Sequence, residues 1–366
     1  MAGGFAERSD IVTDGFATAL LKSMLEIPSP SYAEAELAKH LAATMRELGF
    51  AARLDEVGNV IGLLDRGPGP TVLLLGHMDT VSGQPPVRLS NGRLFGRGAV
   101  DAKGPLAAMI CAAARAHEFR GRLVVAGVVE EETPGSRGAM NVRRRQPPPE
   151  AVVIGEPSGW SGVVIGYKGK LDVRYRVECP ATHPSAPQPK AVELAARAWT
   201  SLLDILGPEA SHLRFDQPGA TLVSLVGDLT SATAEFSVRT PAGFDVEGCL
   251  TKLREQLDEG VFEVRNAVAP CRVRRTDPVV RALSHAIRRH GGVPTAKLKT
   301  ATSDMNTLAE VWRVPMATYG PGDSRLDHHD DEHIDLDEYM RGIAVLSDAL
   351  LELSALPVTA PGGTTR

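Results

Sequence analysis

The chain is sparing with the residues that mark several protein classes. Aromatic residues make up 5% of its 366 positions, and its four cysteines, Cys111, Cys179, Cys249 and Cys271, include no Cys-x-x-Cys pair. A disulfide framework or a zinc–thiolate scaffold is not expected, and the thiols read as reduced and structural. No apolar run approaches the roughly 18 residues that span a bilayer, so no membrane segment is expected. The opening, MAGGFAERSD, has no basic stretch followed by an apolar one. The reading is a cytoplasmic protein without a secretory leader. An excess of one charge is missing too: 40 Lys and Arg against 45 Asp and Glu leave a net charge of −5. That balance argues against general nucleic-acid binding.

What remains is an ordinary soluble composition, 43% hydrophobic and 23% charged, long enough at about 150 residues per domain for two or three domains. Helical periodicity covers residues 12–25 and 32–48, the second opening with a serine cap and closing at Gly49. Short β-rich runs follow at 51–54, 60–64, 71–75, 123–129 and 151–154, with an Ala-rich helix at 105–117. Strands alternating with helices at this spacing predict an α/β fold, a mixed, largely parallel sheet with helices on both faces. From about residue 168 the texture changes. KLDVRYRVE alternates apolar and polar residues like a half-exposed strand, and the order strand, helix, two strands, helix, strand describes a compact α+β insert. The first texture returns with a helix at 278–290, a strand near 315–319 and a helix at 336–353, before a Pro/Gly/Thr-rich tail expected to fray. The expected organisation is a catalytic domain over 1–167 and 276–366, interrupted by a smaller α+β domain over 168–275.

The chemistry-bearing residues sit where apolar strands stop. TVLLLG runs into His77-Met78-Asp79, at a carboxyl strand end where open α/β sheets bind ligands. Residues two apart share one side of a strand, so Asp79 can hold the tautomer of His77. Asp101 follows a Gly-rich loop, LVVAGVV ends in Glu130-Glu131-Glu132, and AVVIG ends in Glu156. Three adjacent carboxylates repel one another unless a cation or a basic neighbour is near. Late in the chain comes LDHHDDEH, with His328, His329 and His333. Taken singly these signals read as a turn, a helix cap and solvated acidic loops; together, His77, Asp101, Glu132, Glu156 and one late histidine form a nitrogen and oxygen donor set. Such a set suits zinc, or cobalt and manganese under some conditions. Five donors exceed the three of a single open catalytic zinc, and two ions sharing a carboxylate fit better. One carboxylate must then stay off the metal to take a water proton and pass it to a leaving amine.

At these residues the sequence resembles the co-catalytic di-zinc amidohydrolases, the family of acetylornithine deacetylase, succinyl-diaminopimelate desuccinylase and glutamate-releasing carboxypeptidase. The segments that carry the resemblance are GHMDTV, GRGAVDAKGP, EEETPGS, GEPSG and HHDDEH, in family order across most of the chain. The resemblance implies two zinc ions per subunit (cobalt as the alternative), with His77, Asp101, Glu132, Glu156 and His328 as ligands. Asp101 would bridge, and a cis peptide bond would follow it. Asp79 would orient His77, and Glu131 would be the general base. His328 is selected over its neighbours because it stands four residues before Glu332. In the inserted lid or dimerisation domain the resemblance implies a homodimer, in which His183 holds an oxyanion across the subunit interface and Arg239 grips a substrate carboxylate. The family's asparagine upstream of that arginine is missing here. Lys168, at the junction of the domains, is a further expected substrate contact.

Finer segments, IGYKGKL and YGPGDSRLDHHDDEHI, look like the branch acting on an amino acid linked to an acidic amino-group carrier protein. That branch hydrolyses the amide between the γ-carboxyl of the carrier's C-terminal glutamate and the α-amino group of lysine or ornithine. The basic runs Arg143-Arg144-Arg145 and Arg272, Arg274, Arg275 are candidate docking cations. Two other readings stand beside it: a deacylase of free N-acetylornithine, N-acetyl-lysine or a small peptide, and a non-catalytic binding protein on the same fold.

Overall fold

The computed structural model describes residues 12–358. The opening MAGGFAERSD and the end of the tail, from residue 359, lie outside the described residues. The chain divides into two compact units, one of Met1–Ile165, Val273–Lys297 and Thr307–Arg366, the other of Gly166–Arg272 and Leu298–Asn306. In chain order the helices are α1 (Asp14–Glu26), α2 (Ala35–Glu47), α3 (Lys103–Arg115), α4 (Arg137–Arg145), α5 (Ala191–Leu206), α6 (Val246–Gln256), α7 (Pro278–Arg289), α8 (Asp304–Ala309) and α9 (Leu336–Leu353). The strands begin with β1 (Ala51–Leu54), β2 (Val60–Asp65), β3 (Thr71–His77), β4 (Arg88–Ser90), β5 (Arg93–Phe95), β6 (Arg122–Val128), β7 (Ala151–Gly155) and β8 (Gly162–Tyr167). They continue with β9 (Gly169–Glu178), β10 (Gly219–Gly227), β11 (Ser231–Thr240), β12 (Val261–Val268), β13 (Cys271–Arg272), β14 (Thr295–Lys299), β15 (Met316–Thr318) and β16 (His333–Asp335).

In the first unit the sheet runs β1-β2-β6-β3-β7-β15-β8. Its centre, β6-β3-β7-β15, is parallel, and the strands on either side are antiparallel. This is the mixed, largely parallel α/β sheet expected from the sequence. Strand β3 shows why. Val72 and Leu74 join the main apolar cluster while Leu73 and Leu75 point the other way, and all four are buried. A strand buried on both faces reads as a continuous apolar run, as parallel strands do. Helix α3 lies against β3, β6 and β7 with every residue but Arg115 buried, and α1 and α9 pack on it.

Its first turn is held unusually close to the loop before it. A Cβ on Gly104 would fall well inside van der Waals contact with the Ala99 backbone oxygen, which cannot move aside without dragging the chain toward Asp101. We expect Gly104→Ala to cost about 1–3 kcal/mol through overpacking, read as a lowered thermal midpoint. An unchanged midpoint would show that the turn is not so tightly apposed.

The second unit has an antiparallel sheet, β10-β11-β9-β12. Strands β9 and β11 alternate buried and more exposed residues, and α5 and α6 cover one face through Leu194, Ala198, Leu250 and Leu253. The segment Leu298–Asn306 joins this unit by hydrogen bonds: Lys168 N donates to the Lys299 carbonyl, and Asn306 Nδ2 to those of Lys168 and Ala269. A contiguous reading of the insert does not contain that return.

The expected serine cap of the second helix is not one. Helix α2 starts at Ala35, and its N-cap, Glu34, makes no side-chain capping bond. Ser31 instead donates to Asp79 Oδ2 at 2.8 Å. All four cysteines are free, and among the described residues no helix is long and apolar enough to cross a membrane.

Candidate metal centre

Three parallel strands end side by side. Their register sets His77 opposite Val128 and Gly76 opposite Gly155, so His77 at the end of β3 and the chain leaving β6 and β7 bring His77, Glu131, Glu132 and Glu156 together at the carboxyl ends of these central strands. Buried His77 places Nε2 at 3.1 Å from Asp101 Oδ1 and 3.8 Å from Glu156 Oε1. His328 places Nε2 at 3.0 Å from Asp101 Oδ2 and 2.9 Å from Glu132 Oε1. One carboxylate thus stands between two imidazoles with one oxygen toward each. Ligand-type atoms of His77, Glu131 and Glu156 lie within 4.8 Å of one another, as do those of His77, Asp101 and Glu132. The peptide bond between Asp101 and Ala102 is cis.

The surrounding hydrogen bonds explain how this arrangement is held. His77 Nδ1 donates to the Asp79 backbone carbonyl at 2.8 Å, which leaves Nε2 free of a proton in the neutral ring. The Asp79 carboxylate, 3.6 Å from Nδ1, has other partners: it accepts from Ser31 Oγ, from Glu131 N at 2.9 Å and from Glu132 N at 3.1 Å. It therefore fixes the backbone of the acidic triplet. Within that triplet Glu130 turns away to Arg137 Nη1 at 2.7 Å, in a left-handed backbone conformation (φ 59°). Of the other late histidines, His329 accepts from Asp331 N and His333 packs on Phe95 with ring centroids 4.7 Å apart. Lys103 is fully buried and donates to the Met24 and Ile27 carbonyls at the end of α1, and burial lowers its pKa to about 8.

The electrostatics of the cluster call for cations. Burial works against charge on His77, but hydrogen bonds to Asp101 and Asp79 outweigh it and hold its pKa well above the ordinary imidazole value. Hydrogen bonds to Asp101 and then Glu132 push His328 up to about 10. Burial opposes the charge on Asp101, yet the two histidines draw its pKa below the usual carboxylate range. Without metal the imidazolium forms supply the positive charge. A histidine whose folded pKa is raised stabilises the fold below its unfolded value, about 6.5, and loses that contribution as pH rises through the folded value. The thermal midpoint of the metal-stripped protein should therefore drop as pH rises from 6.5 to 8, below the range in which buried Lys103, with its pKa lowered to about 8, contributes in the opposite sense. Zinc affinity should rise over the same interval, because the ion competes with protons for Nε2. A flat melting profile would contradict the charged cluster.

The donor set fits a metal pair: nitrogen and oxygen donors, no thiolate, and two imidazole nitrogens set against opposite oxygens of one carboxylate.

In the second unit, His183 is exposed on the loop between β9 and α5, its Nδ1 accepting from Ser185. Arg239 on β11 donates to Thr302 Oγ1 at 3.1 Å. Lys168 is fully buried, and its Nζ donates to the carbonyls of Ser211 and Gln217. Its ammonium holds the 211–217 loop. Two cations of the first basic run are paired as well, Arg143 with Glu310 and Arg145 with Glu56, while Arg274 and Arg275 are exposed.

A model of the peptidase family M20/M25/M40 matches residues 73–352. The chain belongs to this family. Among its relatives is the LysW-lysine hydrolase of Deinococcus radiodurans, 41% identical over 354 residues that cover 92% of this chain and 97% of the relative. The LysW-lysine/LysW-ornithine hydrolase of Saccharolobus islandicus is 29% identical over 350 residues, covering 92% and 96%. The fold is similar to that of aminopeptidase PepT from Bacillus cereus, with a TM-score of 0.79 at 19% identity over 94% of this chain and 99% of that one.

Proposed function

We propose that this M20/M25/M40 member is a metal-dependent amidohydrolase that releases lysine or ornithine from a carrier protein, cleaving the amide between the γ-carboxyl of the carrier's C-terminal glutamate and the amino acid's α-amino group. The observation that carries the substrate is the near full-length similarity to the LysW-lysine hydrolase. The site supports the chemistry. His77, Asp101 and Glu156 would hold one zinc or cobalt ion, and Asp101, Glu132 and His328 a second. Bound there, the pair polarises the amide carbonyl and makes water a nucleophile at neutral pH.

The chain's own residues do the rest. The Glu131 carboxylate takes the proton of the attacking water and delivers it to the leaving α-amino nitrogen, which would otherwise depart as a poor anion. Asp79 keeps Glu131 and Glu132 in place through their backbone N–H groups. Arg239 would grip the carboxylate of the departing amino acid, a task for which a planar fork suits better than an ammonium. His183 would donate to the developing oxyanion across the interface of a homodimer. Lys168, expected to touch substrate directly, has its ammonium on the Ser211 and Gln217 carbonyls and would serve the site through the loop it pins. The partner is an acidic carrier, the exposed Arg274 and Arg275 are available to its charge, and the setting is cytoplasmic amino-acid biosynthesis.

The test is incubation of the zinc- or cobalt-loaded protein with carrier bearing lysine or ornithine, with mass analysis of the products. Free amino acid and a carrier lighter by that residue are expected. Equal turnover of N-acetyl-lysine or N-acetylornithine would favour a general deacylase, and no turnover of any amide would favour a binding protein.

A further inference from the structure

Glu332 marks the register of His328 in the sequence, but in the fold its own carboxylate has a heavy set of partners. It is 1% exposed and accepts four hydrogen bonds. Oε2 takes Arg97 Nη1 at 2.8 Å and Gly98 N at 3.0 Å, and Oε1 takes Val100 N at 2.8 Å and Asp101 N at 3.1 Å. Arg97, itself 3% exposed, also donates through Nη1 to the His329 carbonyl at 3.2 Å. The two residues stand 235 apart in sequence. A short ladder delivers them to each other: β16 pairs with β5, His333 opposite Phe95, and Gly96 N donates to the Glu332 carbonyl at 3.1 Å.

We propose that the Arg97–Glu332 pair is a positioning device for the metal centre, clasping the loop that carries Asp101 to the segment that carries His328. The proposal rests on the reading of Asp101 and His328 as metal ligands. Its physical basis is that one carboxylate fixes the backbone from Gly98 to Asp101. The Asp101 N–H is among the four donors, so only the two side-chain torsions of Asp101 separate the clasp from the oxygens that face His77 and His328. Arg97 extends the same clasp to the backbone one residue after His328. The buried carboxylate is balanced by a guanidinium and by three aligned amide dipoles, and removing one partner leaves charge uncompensated in a dry site. Glutamine at 332 is nearly isosteric but has one acceptor oxygen. Either way round, its NH₂ group meets two of the four donors head-on and opens half of the clasp.

The experiment measures zinc stoichiometry and affinity by competition with a chromophoric chelator, and the visible spectrum of the cobalt-loaded protein, for the wild-type chain, Glu332→Gln, Glu332→Asp and Arg97→Lys. Metal-stripped melting is measured in parallel. Arg115→Met, which removes a pair with Asp14 and a bond to the Val12 carbonyl at the far end of α3, controls for loss of stability alone. Glu332→Gln should lower metal affinity by about 10- to 100-fold, the usual effect of losing support behind a ligand, and should alter the cobalt spectrum. Glu332→Asp, which keeps both oxygens, should recover part of the affinity. Arg97→Lys should weaken binding in the same sense and stands in where Glu332→Gln does not accumulate. Arg115→Met should bind zinc like the wild type at whatever stability it has. If wild type takes two ions and Glu332→Gln matches it in affinity and spectrum, or falls no further than Arg115→Met, the clasp is refuted while the metal reading survives. If wild type itself takes up no ion, both fall together.

Discussion

Glu131→Gln should lower turnover by about 10²–10⁴-fold, the contribution of a positioned proton carrier, and leave both metal ions bound. The substitution keeps the shape of the side chain and removes its capacity to accept a proton. The loop itself should persist, because Asp79 holds it through the N–H groups of Glu131 and Glu132, which the change does not touch. Steady-state rates on the carrier conjugate, with elemental analysis of the same preparation after gel filtration, give the two numbers needed. Near-normal turnover would remove Glu131 from the proton path. Loss of an ion would recast it as a ligand, an outcome with its own geometric basis, since its carboxylate lies in one group with His77 and Glu156.

Asp101→Ala should be more damaging, because it strips both imidazoles of a shared partner. Each oxygen of Asp101 faces a different histidine, at 3.1 Å for His77 and 3.0 Å for His328, so its removal should weaken both ions and take activity below detection. It should also act on the metal-stripped protein. The hydrogen bond to Asp101 is the largest cause of the raised pKa of His328, and without it that histidine should titrate closer to its ordinary value. Proton NMR of the ring, followed against pH, measures this directly. One zinc retained with full activity would show that Asp101 does not serve both ions.

The large elements of the fold were legible because burial writes itself into periodicity. TVLLLG is apolar at every position but its ends and became a strand paired on both sides. KLDVRYRVE alternates and became β9, covered on one face only. Helix α9 begins and ends where its pattern does. Strand β8, GVVIGY, carries the same apolar run and was missed all the same, whereas the shortest missed elements lack such a signature. Strands β4, β5 and β16 are three residues each (RLS, RLF and HID), too short for a period of two to be seen. Helix α4, RGAMNVRRR, buries only Gly138, Ala139 and Val142. Ser31 looked like a helix cap because cap preference is a local rule, and its partner, Asp79, is 48 residues away.

The same division runs through the site. The order and chemistry of the residues, histidine and carboxylates at the ends of apolar strands with no thiolate among them, were determined by the sequence alone, since strand ends and donor types are local properties. Which oxygen faces which imidazole, which member of the Glu130–Glu132 triplet turns away, and what brings His328 to Glu132 across 196 residues were decided only by tertiary structure. Those contacts depend on parallel strand register and on the short β5–β16 ladder, and no pattern within a single segment encodes a distance between two.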